Sequence, residues 1–214
     1  MKKGVIAGIV LVVIILIGVG VFFFMRNSSP NVGEDASLSG DEASNVIDNL
    51  DTSNMNILFA YYSHTGNTEA MAEEIANQVN GDLFKIERAA EYNDLYTEAE
   101  DEINNGDRPE LADTVDNMDS YDVIFIGYPI WWDMPPAMIN SFLESYDLTD
   151  KIVIPFCTSS SDGIENSMAS IRASSENAVV LDGLRLSGSS ASSDSGKEEI
   201  SNWLNSLNIF ESAD

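Results

Sequence analysis

Ile57-Leu58-Phe59-Ala60-Tyr61-Tyr62-Ser63-His64-Thr65-Gly66-Asn67-Thr68 joins two different periodicities through one polar loop. Its first five residues form a short apolar run that reads as a buried strand. Beyond it Met71, Ile75 and Val79 recur every four residues with Ala72 and Ala76 between them, which predicts an amphipathic helix. A hydroxyl- and amide-rich loop between such elements aims free backbone N–H groups at one point, and the helix dipole favours an anion there. The loop holds no Lys or Arg, so its donors are neutral. That suits a terminal phosphate monoester better than a triphosphate, and the GxxxxGK[ST] pattern of a nucleotide triphosphate loop is absent. Ser and Thr also begin ordinary helices, so this segment alone leaves a capping turn and a phosphate cradle both open.

Outward from this loop, apolar strands alternate with amphipathic helices. Strands are predicted at Ile57–Tyr61, Leu83–Ile86, Val123–Gly127, Ile152–Phe156 and Val179–Leu181, and helices from near Asn67, Asp94, Pro135, Gly163 and Gly196. Continuous apolar strands between helices argue a parallel sheet covered on both faces. Five strands at this spacing suit an α/β doubly wound sheet of order 2-1-3-4-5, whose crevice opens at the carboxyl ends of strands 1 and 3. Strand 3 leads into Gly127-Tyr128-Pro129-Ile130-Trp131-Trp132-Asp133-Met134. Two adjacent tryptophans in a loop are suited to stacking on a flat ring, or else to closing a hydrophobic lid. Strand 4 leads into Cys157-Thr158-Ser159-Ser160-Ser161-Asp162-Gly163, a third polar loop at the same edge. Together the three loops describe a site for a flat aromatic nucleotide with one phosphate.

The 214 residues suffice for one good core. Met1-Lys2-Lys3 precedes an uncharged apolar run from Gly4 to Met25, long enough at helical rise to span roughly 30 Å, a bilayer core. The run exceeds a signal-peptide core and ends without an A-x-A site, so residues 1–26 are expected to be an uncleaved single-pass anchor. Lys2 and Lys3 then stay cytoplasmic and the rest of the chain is extracytoplasmic. Residues 27–54 have the composition of an acidic flexible linker, with one weak helical face at Ala43, Val46, Ile47 and Leu50. The folded domain is expected over 55–214. The chain carries 10 basic and 36 acidic residues, net −26. Beyond Arg26 seven basic residues face all 36 acidic ones, a net −29 that excludes nucleic acid as a partner and is explained first by solubility, and also by steering toward a redox partner with a basic docking surface. Cys157 is the sole cysteine and His64 the sole histidine, so neither a disulfide nor a metal-ligand cluster is expected.

With these motifs in order, the chain from about Asn56 to Asn208 resembles the flavodoxin family, specifically its domains with a Tyr-Pro-x-Trp-Trp segment. The resemblance rests on Tyr62–Thr68, on Gly106-Asp107-Arg108-Pro109-Glu110-Leu111, on Tyr121 to Trp132, and on Pro155-Phe156-Cys157-Thr158-Ser159. It implies FMN as cofactor. The phosphate would lie on Ser63, Thr65, Asn67 and Thr68 with the amides of His64 and Gly66. Tyr128, Pro129, Ile130, Trp131 and Trp132, with Cys157, Thr158, Ser159, Ser160, Asp162 and Gly163, would border the ring and ribityl chain. Family members often carry glycines where this chain has Ser159-Ser160-Ser161-Asp162, and an Asp162 carboxylate near the ring would disfavour an anionic reduced flavin. No catalytic side chain is expected: His64 contributes its backbone N–H, and Cys157 is a small buried hydrophobe. The expected function is an anchored electron-transfer protein with an unidentified redox partner. The alternatives are an NAD(P)H-dependent FMN or quinone reductase, and a binding module that has kept only the fold.

Overall fold

The computed structural model describes residues 55–209. The apolar run Gly4–Met25, the linker and its weak helical face lie outside them. Among the described residues no helix is long and apolar enough to cross a membrane.

The chain runs β1 (Ile57–Tyr61), α1 (Asn67–Val79), β2 (Asp82–Lys85), α2 (Leu95–Asn105), β3 (Val123–Pro129), α3 (Ala137–Glu144), β4 (Ile152–Thr158), α4 (Glu165–Ser174), β5 (Val179–Val180), β6 (Leu184–Leu186) and α5 (Asp194–Ser206). All strand pairs are parallel and the order is β2-β1-β3-β4-β5. Period-2 alternation sends Phe59, Phe125, Ile154 and Phe156 to one face, against Met71 and Ile75 of α1 and Ile200 and Leu204 of α5. Leu58, Ile124, Ile126 and Val153 go to the other face, against Met138, Ile139 and Phe142 of α3 and Ile171 of α4. Burial on both faces explains why the strands read as unbroken apolar runs.

The expected order and all five helices are found; β2 lies one residue earlier than the expected Leu83–Ile86, and two larger differences appear among the other strands. β3 and β4 each run two residues past their expected ends, drawing Tyr128 and Pro129, and Cys157 and Thr158, into the ladder. The fifth position holds two short strands, β5 opposite Ile152–Val153 and β6 opposite Phe156–Thr158, with one extra residue inserted between them. The interruption passes Pro155, which has no N–H for the ladder. Gly183 lies so close there that a Cβ would stand 2.6 Å from the Pro155 carbonyl oxygen. The sequence offers no expectation of a strand at Leu184–Leu186, while Leu181, expected in the strand, lies just past β5 with its N–H donating to the Val153 carbonyl at 3.0 Å.

Candidate functional site

Three loops meet at the carboxyl edge of the sheet, stitched together by backbone bonds. Tyr62 N–H donates to the Gly127 carbonyl at 2.9 Å, Ile130 N–H to the Thr158 carbonyl at 3.0 Å, and Ser159 N–H to the Leu186 carbonyl at 3.0 Å. In the first loop, the residue just before α1 is Gly66, at φ +85°, and no side chain caps the helix. The capping-turn reading of the sequence therefore does not describe this terminus: its first N–H groups are left without a side-chain acceptor. Asn67 Nδ2 donates to Thr65 Oγ1 at 3.0 Å, and Thr68 Oγ1 lies 2.9 Å from Thr158 Oγ1, tying the first loop to the third. Ser63 Oγ is buried and has no hydrogen-bond partner. A buried orphan hydroxyl beside an uncapped helix N-terminus, with no cation in the loop, fits a bound phosphate whose oxygens would satisfy both.

The second loop builds an aromatic wall. Trp131 and Met134 exchange two backbone bonds of 2.9 Å, closing a two-residue turn with Trp132 at φ +47° and Asp133 at φ +64°. Both central residues are left-handed, the geometry normally filled by Asn-Gly. The turn stands Trp131 edge-on to Tyr62, His64, Tyr92 and Trp132, at centroid distances of 5.5, 6.2, 6.5 and 6.4 Å. Trp132, 43% exposed, also meets the exposed Tyr96. Arg88 lies over the Tyr92 ring at 4.0 Å and pairs with Glu102 at 2.8 Å. Burial pushes the Tyr62 hydroxyl up to about 12, with Arg88 opposing, and burial plus the bond to Glu102 raises that of Tyr92 further. Both phenols are neutral at physiological pH.

The third loop is closed by Ser159, whose Oγ accepts from Ser161 N–H at 3.3 Å and Asp162 N–H at 2.9 Å. None of Ser159–Asp162 has a positive φ, so serines stand there without backbone strain despite the family's glycines. Gly163 follows with the Glu165 carboxylate folded back over it.

Of the expected site residues, the structure joins Asn67 to Thr65 and Thr68 to Thr158, sets His64 and exposed Trp132 against Trp131, and closes the third loop on Ser159 Oγ. Ile130 is buried beneath and Pro129 is half-buried. Tyr128 and Cys157 are fully buried on the α3–α4 face. Tyr128 bonds Ser167 Oγ at 2.9 Å, and burial raises the Cys157 thiol to about 12, leaving only their backbone at the edge. Sequence reasoning missed Tyr92, Tyr96 and Arg88. The available signal was the Gly106–Leu111 motif, since Leu111 pairs with Arg88 in an antiparallel bridge and fixes that loop beside the wall. A separate cleft of about 350 Å³ lies between Arg88–Ala90 and Asp107–Glu110, but its arginines are engaged by Glu102 and Glu144.

The family model described as Flavodoxin matches residues 56–207. A candidate flavoprotein from Bacteroides eggerthii is 35% identical, with a TM-score of 0.64 over 72% of this chain and 98% of that one. One from Bacteroides uniformis is 32% identical, with a TM-score of 0.63 over 72% and 99%. A Lactobacillus acidophilus flavoprotein in complex with FMN is 24% identical, with a TM-score of 0.57 over 71% and 99%. No curated protein matches the chain.

Proposed function

The chain belongs to the flavodoxin family, and from that premise we propose that it binds FMN at the three carboxyl-edge loops and passes electrons singly, tethered outside a membrane by Gly4–Met25. The observation that carries the reading is the orphan Ser63 hydroxyl in the loop that leads into the uncapped α1. Bound there, FMN supplies the electron chemistry. The protein's part is to hold the phosphate with neutral donors, cover the ring with the Tyr128-Pro129-Ile130-Trp131-Trp132 segment, and surround it with negative charge. Asp133 and Asp162, in the second and third loops, would oppose the single negative charge that the ring would carry when fully reduced, and so hold the two one-electron potentials apart. The same acidic field favours a redox partner with a basic docking surface.

FMN titration of the purified protein, followed by dithionite and by NADH or NADPH, tests this reading. We expect tight FMN binding with tryptophan quenching, two resolved one-electron steps, and slow reduction by either nicotinamide. Rapid two-electron reduction by a nicotinamide would instead make the protein a reductase. Protease added to intact spheroplasts should digest the domain; full protection would overturn the extracytoplasmic topology.

A further inference from the structure

Seven basic side chains lie among the described residues. Five are paired with carboxylates: Lys85 with Glu87, Arg88 with Glu98 and Glu102, Arg108 with Glu144, Arg172 with Asp182, and Lys197 with Glu74. Lys151 is buried and donates to the carbonyls of Tyr121 and Asp119. Arg185 alone among the described residues is neither buried nor within 4.0 Å of a carboxylate. In so acidic a domain, a cation left without a counter-charge stands out.

Its position is specific. Arg185 sits in β6 opposite Cys157, one residue before Thr158 enters the third loop. Leu184 and Leu186 pack into the α1–α5 core, so alternation turns Arg185 to the opposite face, beneath that loop. Its Nε donates to the Asp162 carbonyl at 3.2 Å, while the Asp162 carboxylate accepts instead from Ser161 Oγ at 3.0 Å. The charge reaches the end of β4: burial is what raises the Cys157 thiol, and Arg185 is the group that works against it. The guanidinium therefore spends one donor on positioning the loop and forms no ion pair with a carboxylate of the described residues.

We propose that Arg185 is a positioning and charge-compensating residue for the reduced cofactor, holding the third loop through Nε and offsetting the negative charge that the flavin ring gains on reduction. The inference rests on the FMN reading above. Two electrons and one proton convert the neutral oxidised ring to an anion, so a nearby cation favours the reduced form and leaves the oxidised form almost untouched. It acts against Asp133 and Asp162 and limits how far they depress the potential.

The test compares R185Q and R185K with the unmodified chain, using titration with oxidised FMN and spectroelectrochemical titration of the bound flavin. R185Q should bind oxidised FMN within about threefold of the parent and reduced FMN about tenfold more weakly, which lowers the two-electron midpoint by about 30 mV. R185K should stay within about threefold in both states. Equal losses in both states, or an unchanged midpoint in R185Q, would overturn the proposal. Should R185Q fail to fold, a folded R185K with a lowered midpoint overturns it and one with the parent midpoint supports it. Failure of the parent chain to bind FMN is a different result, since it removes the cofactor reading itself and this inference with it.

Discussion

Ser63 shows how one atom separates the fold's needs from the ligand's. A buried hydroxyl without a partner costs roughly 1–3 kcal/mol, so the free domain is less stable for having it. A hydrogen bond to a charged phosphate returns about 1.5–3 kcal/mol. S63A should therefore leave the FMN-free domain as stable as before or slightly more so, while weakening FMN by about 10- to 100-fold. Thermal melts without FMN beside an FMN titration check both halves, and an unchanged affinity would place the phosphate elsewhere. Thr68 is a poorer probe, because its hydroxyl already bonds Thr158. At this scale the polar loop between β1 and α1 was legible in sequence, since turn chemistry is local. Tyr128 and Cys157 were placed in loops because a strand's last residues have no local signature; only pairing across β3 and β4 reveals them as ladder residues. Arg185 was invisible for a related reason: its role depends on which cations elsewhere have already found partners.

The elements followed their periodicity closely, since buried strands and amphipathic helices carry the signal in every residue. Where the reading fell short, a single proline and its neighbour decided the matter: Pro155 breaks the ladder and Gly183 fills the gap, splitting one edge strand into β5 and β6. The Trp131–Met134 turn went unread as well, because Trp-Asp lacks the Asn-Gly signature of a turn with two left-handed residues. Holding such residues at positive φ costs roughly 1–2 kcal/mol each, somewhat less for Asp. Strain of this kind, beside the aromatic wall, persists where it aims Trp131 and Trp132. D133G should relieve it, stabilising the domain by up to about 1 kcal/mol and raising Tm by ~2–4 °C. A lower Tm by calorimetry would mean that Asp133 holds the turn through its side chain.

Across the whole molecule, charge is the strongest compositional signal and the least informative about the fold. Net charge −26 says nothing of which few pairs join elements. One pair that does so is Arg108–Glu144, two bonds of 2.7 and 2.8 Å from the segment after α2 to the end of α3, extended by Ser174 Oγ to α4 at 2.7 Å. The Arg108 bond holds the Glu144 carboxyl below the usual range, with Ser174 adding to it. A depressed carboxyl contributes stability that is present above its unfolded value, roughly 4.3, and lost as pH falls through the folded one. Both side chains are about 40% exposed, so screening limits the pair to about 0.5–1 kcal/mol. E144Q should thus melt ~1–4 °C below the parent at pH 7. The gap should hold down to about pH 5 and close toward pH 3, where the parent's Glu144 takes up its proton and comes to resemble the glutamine. At pH 7 it should also narrow in high salt, as the Debye length falls to about 3 Å at 1 M. Melts of both proteins at pH 7, 5 and 3 decide the point: a gap independent of pH would assign the loss to packing around α3 and not to the ion pair.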